Sequence, residues 1–308
     1  MKNFEEIKSI LKDAEKKNVL VVACAHELNT LMAVDAVVNE GIVDAILVGD
    51  SAEIKALCRD NEIDAGKYEI VHCIDGGTVY SEATKVAIAL IKEGKADILM
   101  KGIVSTKKFV RTIINRTFGL PHDGFVSHVT VYEWIYTGKF LFVSDVAVNK
   151  YPNFNDKKKI VHSLVRVMDK FKINSPKVAV MVPSEIIDED NIREAVFADA
   201  ITLKDMSDKQ EFHPAIVEPS SLDMAWSEAV AKTKNFKGNI AGDVDAVLLH
   251  DYIGGNVFYK LEEAHETPAA GVLCGASAPV VLPSRGDSPE TKANSIALAA
   301  FLKWEDIS

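Results

Sequence analysis

The chain has 308 residues, of which 48% are hydrophobic and 26% charged, and its formal net charge at pH 7 is −10. This length and apolar content suffice for a large hydrophobic core in one or two domains, which excludes a disordered chain. The negative charge argues against a general affinity for nucleic acid or for an anionic membrane, so any basic residues that bind an anion must be local.

The cysteines and the first residues bear on the cellular compartment. Cys24, Cys58, Cys73 and Cys274 have no spacing typical of metal ligands and lie in apolar patterns, which favours buried free thiols. The N-terminal segment is charged and helical without the apolar region of a signal peptide, and no apolar run approaches the length of a membrane span. We therefore expect a cytoplasmic protein.

Short apolar runs alternate with helical patterns along most of the chain. Strands are predicted at residues 19–23, 45–48, 69–74, 98–100, 126–132, 140–143, 178–182, 215–217, 246–249 and 280–282. This alternation predicts an α/β protein with a mostly parallel sheet, in which binding sites form at the carboxyl ends of strands. The composition alone shows no domain boundary.

The segment after the last predicted strand has the features of an anion site. Ser288 is a predicted N-cap and Pro289 the first residue of a helix. A helix start presents free backbone N–H groups and a positive dipole, and Arg285 beside it adds a planar cation that suits phosphate. Judged on the dipeptide Ser284-Arg285 alone, however, an ordinary surface turn is the commoner structure.

A second strand end carries Lys101, Ser105 and Thr106. Its lysine and hydroxyl groups are suited to an anion, but a helix cap beside a solvated lysine explains the same residues equally well.

A third strand end is followed by Gly254-Gly255-Asn256. Glycines at this place allow a ligand to approach the backbone closely, and a tight turn explains them equally well. Asn256 is the predicted N-cap of a helix over residues 257–263.

Five motifs, taken together, resemble those of the phosphate acetyltransferase and phosphate butyryltransferase family. They are LMKGIVST at 99–106, SHV at 127–129, LFVSDVAVN at 141–149, DYIGGNVFYK at 251–260 and PSRGDSPETK at 283–292. Their order, spacing and position at strand ends match over nearly the whole chain, and the butyryl-transferring members are the most similar.

The resemblance implies an isocitrate/isopropylmalate dehydrogenase-like fold. Such a fold has two α/β domains with mostly parallel sheets and an active-site cleft between the domains. It assigns residues 1–128 and 281–308 to the first domain and residues 129–280 to the second.

The implied activity is the reversible transfer of a butyryl or similar short acyl group between coenzyme A and inorganic phosphate. The coenzyme A ester is a substrate in this reaction, and neither a bound cofactor nor a metal is expected. The expected partners are acyl-CoA and phosphate, without nucleic acid or membrane, and the expected assembly is a homo-oligomer, dimeric or higher.

The resemblance also implies roles for individual residues. The catalytic residues would be Ser284, Arg285, Asp287 and Glu290. The substrate-binding residues would be Lys101, Ser105, Thr106, Asn149, Gly255, Asn256 and Lys260. Attack of phosphate on a thioester builds negative charge on the carbonyl oxygen, so hydrogen-bond donors such as Arg285 are needed there.

The sequence departs from the family pattern at two places. Acetyl-transferring members carry, six residues after the arginine, an aspartate proposed to deprotonate the thiol; Thr291 stands there, which leaves Glu290 or Asp287 as the base. Glu218-Pro219 replaces an Asp-Gly-Pro segment, and an added carboxylate there would repel phosphate or alter acyl choice. Two alternatives therefore stay open: an altered paralogue that binds CoA esters or acyl phosphate, and a metal- and NAD(P)-dependent hydroxyacid dehydrogenase on the same fold.

Overall fold

A computed structural model describes residues 1–76, 79–120, 122–184 and 194–304. The strands are β1 Asn18–Ala23, β2 Val43–Gly49, β3 Glu69–His72, β4 Ile98–Lys101, β5 His122–Trp134, β6 Lys139–Ser144, β7 Lys177–Met181, β8 Ile216–Ser220, β9 Ala246–Leu248, β10 Ala269–Ala276 and β11 Val280–Val281. The helices are α1 Phe4–Lys12, α2 Leu28–Asn39, α3 Ser51–Asp60, α4 Glu82–Lys92, α5 Thr106–Ile113, α6 Phe154–Lys170, α7 Ala195–Asp208, α8 Leu222–Trp226, α9 Glu228–Thr233, α10 Tyr252–Ala264 and α11 Pro289–Trp304.

The chain folds as two compact units. We call the one formed by Phe4–Val126 and Ala269–Ser308 the N-terminal unit, and the one formed by Met1–Asn3 and Ser127–Pro268 the central unit. The sequence assigned residues 269–280 to the second domain, whereas β10 lies in the N-terminal unit because it pairs with β11 and packs against α11.

The N-terminal unit contains strands in the order β3-β2-β1-β4-β11-β10. All neighbours from β3 to β11 are parallel, and only β10 runs antiparallel, against β11. Helix α11 packs against α1, α2 and β10, and its residues from Ile296 to Phe301 are fully buried. Residues 296–301 are all apolar, as expected for a helix segment that is surrounded by protein on all sides.

The central unit contains strands in the order β5-β6-β9-β7-β8. The pairs from β6 to β8 are parallel, and β5 with β6 forms an antiparallel pair. The prediction of an α/β protein with mostly parallel strands is therefore confirmed. No helix among the residues that the structure describes has the length and apolar character needed to cross a membrane.

Candidate functional site

The site lies in the N-terminal unit, where three neighbouring parallel strands end. Lys101 is the last residue of β4 and pairs with Ala23 at the end of β1, while β11 pairs with β4 on its other side. A pocket of about 200 Å³ opens here. It is lined by Glu27, Thr30, Lys101, Gly102, Ile103, Pro283, Ser284, Arg285 and Lys292.

Lys101 is a buried cation that lines this pocket at the end of β4. Its side chain is 3% exposed, and its Nζ atom donates a hydrogen bond of 3.1 Å to the carbonyl oxygen of Gly102. Burial lowers the pKa of Lys101, and the positive charges of Arg285 and Lys292 lower it further, to about 8. The ammonium group is therefore mostly charged at neutral pH and loses its proton around pH 8.

Gly102 allows the chain after β4 to pass against the end of β1. Its N–H donates to the carbonyl oxygen of Ala23 at 2.8 Å, and the next N–H, of Ile103, donates to that of Cys24 at 3.0 Å. A Cβ atom on Gly102 would lie 2.1 Å from the carbonyl oxygen of Cys24, which no side chain can tolerate. The close approach of two backbones therefore requires glycine here.

The turn that carries Arg285 is held by an internal hydrogen-bond network. Asp287 is 3% exposed, and its Oδ2 atom accepts from the backbone N–H of Ser284 at 2.7 Å. The Oγ atom of Ser284 accepts in turn from the backbone N–H of Gly286 at 3.3 Å. Arg285 itself is exposed and forms part of the pocket wall.

Helix α11 starts beside this turn as the sequence predicted. It begins at Pro289, and Ser288 caps it by accepting from the backbone N–H of Thr291 at 3.1 Å. One turn into the helix, Lys292 is 1% exposed and lines the pocket. The start of α11 therefore brings a second buried lysine to the site.

Glu27 is the acid among the lining residues. It is the N-cap of α2, accepts from the backbone N–H groups of Asn29 at 3.1 Å and Thr30 at 2.9 Å, and also accepts from the Thr30 hydroxyl. Its Oε2 atom lies 3.5 Å from Nζ of Lys292. Burial acts to raise the pKa of Glu27, but the hydrogen bonds from Thr30 and the charge of Lys292 hold it below its usual value.

The structure brings three of the predicted site residues together in the pocket: Lys101, Ser284 and Arg285. Four others lie in the same unit without lining it. Asp287 supports the turn as described, and Glu290 is exposed in the first turn of α11. Ser105 caps α5 by accepting from the N–H of Lys108 at 3.4 Å, and Thr106 is the first residue of that helix.

The other four predicted residues lie in the central unit. Nδ2 of Asn149 donates to Asp145 at 2.7 Å, and Lys260 pairs with Glu263. Gly255 is buried, and a Cβ atom there would lie 2.2 Å from the carbonyl oxygen of Asp145.

The prediction that Asn256 caps the following helix is wrong. Helix α10 begins at Tyr252, and its N-cap is Asp251, which accepts from the N–H of Gly254 at 2.8 Å. Asn256 and both glycines therefore lie inside the helix.

Glu218, one of the two departures from the family pattern, is held inside the central unit. It lies in β8 and is 3% exposed. Its carboxylate accepts from the backbone N–H of Ile240 at 2.6 Å and from Nδ2 of Asn239 at 3.2 Å. These bonds satisfy the buried carboxylate within its own unit.

Sequence reasoning did not select two of the pocket's charged residues, Glu27 and Lys292. The available signal was weak: Glu27 directly precedes an apolar helix that follows β1, and Lys292 lies in the polar first half of α11, where a lysine is not unusual. In the described ranges, no cluster of three or more His, Cys, Asp and Glu side chains is arranged to hold a metal ion.

Comparison with known proteins decides the family. The sequence model of the phosphate acetyl/butaryl transferase family matches residues 4–76 and 75–300. The chain belongs to this family. It is 40% identical to a phosphate butyryltransferase of Clostridium acetobutylicum over 98% of both proteins, and 38% identical to one of Clostridium beijerinckii over the same shares. The family membership predicted from the five motifs is confirmed.

A solved structure supports the same relationship. The crystal structure of a branched-chain phosphotransacylase from Enterococcus faecalis superposes with a TM-score of 0.79 at 25% sequence identity. The match covers 93% of this chain and 99% of that protein, so it includes both compact units.

Proposed function

We propose that this chain is a phosphate acyltransferase that reversibly transfers a butyryl or similar short acyl group between coenzyme A and inorganic phosphate. The observation that carries the proposal is the convergence of Lys101, Arg285 and Lys292 on one small pocket at the strand ends. Full-length similarity to phosphate butyryltransferases supports the same activity.

The pocket suits the smaller of the two substrates. Its volume of about 200 Å³ is below the range of about 300–1,000 Å³ that is common for drug-sized ligands. A tetrahedral oxyanion among three cations fits this space, whereas a whole coenzyme A ester does not. We therefore place phosphate in the pocket and the body of coenzyme A outside it.

The reaction needs charge stabilisation more than covalent catalysis. A phosphate oxygen attacks the thioester carbonyl carbon, the C–S bond breaks, and the thiolate that leaves takes up a proton. Negative charge develops on the carbonyl oxygen, and the guanidinium of Arg285 at the pocket wall is a donor suited to it. Holding both substrates together supplies a further part of the rate enhancement.

The remaining roles follow the resemblance. Ser284 and Arg285 contact phosphate and the polarised carbonyl, and the carboxylate of Asp287 holds the backbone of Ser284 in place. Asp287 or Glu290 acts as the base for the thiol in the reverse direction. The resemblance also assigns substrate binding to Lys101, Ser105 and Thr106, at the anion site of the N-terminal unit, and to Asn149, Gly255, Asn256 and Lys260 of the central unit.

We also propose that the chain forms a homo-oligomer, dimeric or higher. Helix α10 supports this because Ile253, Val257 and Leu261, one turn apart on one face, are each more than half exposed. Exposed apolar surface of this kind is typical of interaction sites. Light scattering of the purified protein gives the molar mass, and a monomer at micromolar concentration would contradict the proposal.

Release of free thiol tests the activity directly. The protein is mixed with phosphate and with acyl-CoA esters of two to five carbons, and thiol release is followed over time. We expect the fastest release with the butyryl ester. Binding of acyl-CoA without release from any of these esters would contradict the transferase and favour a paralogue that only binds its ligands.

A further inference from the structure

The carboxylate of Glu27 has no part in the acyl transfer described above, yet it lines the phosphate pocket. Its side chain is 24% exposed, so it is reachable from the pocket. An acid in a cavity meant for an anion weakens the attraction of the three cations. The presence of Glu27 in this pocket therefore needs an explanation other than affinity for phosphate.

The hydrogen bonds of Glu27 leave one acceptor position open. Oε2 accepts from the N–H and the hydroxyl of Thr30 and faces Lys292, while Oε1 accepts from the N–H of Asn29. A carboxylate offers about four lone-pair positions. Oε1 therefore keeps one for a ligand, and the carboxyl group stays ionised because its pKa lies below the usual value.

The three cations cannot by themselves distinguish phosphate from sulfate. Both are tetrahedral oxyanions of similar size, and both are attracted by Lys101, Arg285 and Lys292. They differ in one respect at neutral pH: inorganic phosphate still carries a proton on an oxygen, and sulfate carries none. Only a hydrogen-bond acceptor can detect this proton.

We propose that Glu27 makes the pocket selective for protonated oxyanions by accepting a hydrogen bond from the P–O–H group of phosphate. With phosphate the contact is a charge-assisted O–H···O⁻ bond. With sulfate, two negatively charged oxygens face each other without a proton between them, so the same residue repels the competitor. The inference rests on the proposed role of this pocket as the phosphate site.

Binding measurements on three proteins test the inference. Dissociation constants of phosphate and of sulfate are determined by calorimetry at pH 7 for the wild type, Glu27→Gln and Asp50→Asn. Asp50 is the matched control, because it also caps a helix after a strand of this unit, accepting from the N–H groups of Ala52 and Glu53, but does not line the pocket.

The wild type should bind phosphate at least about tenfold more tightly than sulfate, as expected for one hydrogen bond to a charged group. Glu27→Gln should lose most of this preference, and Asp50→Asn should keep it. If Glu27 only positions Lys292, both anions change affinity in parallel and the preference survives in Glu27→Gln. That result, or equal binding of the two anions by the wild type, would overturn the inference.

A second pair of anions and the thiol-release assay complete the test. If Glu27→Gln does not fold, as judged by circular dichroism, wild-type protein is titrated with arsenate, which keeps a proton, and selenate, which does not. Arsenate should bind at least about tenfold more tightly than selenate, and equal binding would overturn the inference. A wild type that prefers phosphate but releases no thiol would contradict the transferase and leave the anion selectivity standing.

Discussion

The Nζ atom of Lys292 lies 3.5 Å from Oε2 of Glu27, although 265 residues separate the two in the sequence. The contact joins the first turn of α11 to the N-terminus of α2 at the edge of the pocket. Lys292 is almost completely buried, and the cost of removing its ammonium group from water is offset only in part by a single carboxylate at this distance. A bound phosphate would supply the missing negative charge.

Lys292→Met should therefore separate activity from stability. The KM for phosphate should rise at least about tenfold, or about 1.4 kcal/mol, because the pocket loses one of its cations. The free energy of unfolding should change by less than about 2 kcal/mol, because replacing the buried ammonium group with an apolar side chain opposes the loss of the contact with the partly exposed Glu27. Steady-state kinetics and thermal unfolding check the two parts. A lower melting temperature with an unchanged KM would mean that Lys292 serves the fold.

Arg285 should tolerate neither lysine nor alanine. Arginine presents a planar pair of donors to phosphate oxygens, whereas lysine presents a point charge on a flexible stem. Because Arg285 is exposed, both variants should fold normally and lose about 10²–10³ in turnover, with the KM for phosphate raised more than that for the CoA ester. Wild-type phosphate kinetics in folded Arg285→Ala would contradict the proposed mechanism.

Local signals in the sequence predicted one side of the pocket well. The N-cap Ser288 and the first helical residue Pro289 fixed the start of α11, and Lys101 was placed correctly at the end of a strand. These features depend on residues adjacent in the sequence, which is why they were predictable.

The other side of the pocket depends on contacts that sequence alone does not show. Glu27 is an acid before an apolar helix and Lys292 a lysine in the polar first half of another, and only the folded structure shows that the two are in contact. The start of α10 was misplaced for a related reason: Gly254 and Gly255 oppose helix formation by about 1 kcal/mol each, which pointed to a start after them. A glycine occupies position 255 within the helix because the carbonyl oxygen of Asp145 leaves no room for a side chain there.

Gly102→Ala tests the close approach of the backbone at the end of β4. The added methyl group would collide with backbone atoms of Cys24, which have little freedom to move, so we expect the variant to lose about 2–4 kcal/mol of stability or fail to fold. Gly76→Ala is the control, since a Cβ atom there would meet nothing within 4 Å. Denaturant unfolding of both variants measures the difference, and equal stabilities would refute the steric argument.

Lys101 should give phosphate binding a pH dependence. Its pKa is lowered to about 8, first by burial and then by the charges of Arg285 and Lys292. Below this pH the ammonium group is charged and attracts phosphate; above it the lysine is neutral and the pocket loses one of its three positive charges. The kcat/KM for phosphate should therefore fall as the pH rises through about 8. Bound phosphate favours the charged lysine, so kcat at saturation should fall only at higher pH.

The variant Lys101→Met identifies the group responsible. It should bind phosphate more weakly than the wild type at pH 7 and should lack the decline near pH 8, because methionine carries no charge at any pH. The pH profiles of kcat/KM for phosphate are compared between the two proteins at constant ionic strength, since screening also weakens the attraction of the pocket for anions. A decline near pH 8 that persists in Lys101→Met would show that another group titrates there.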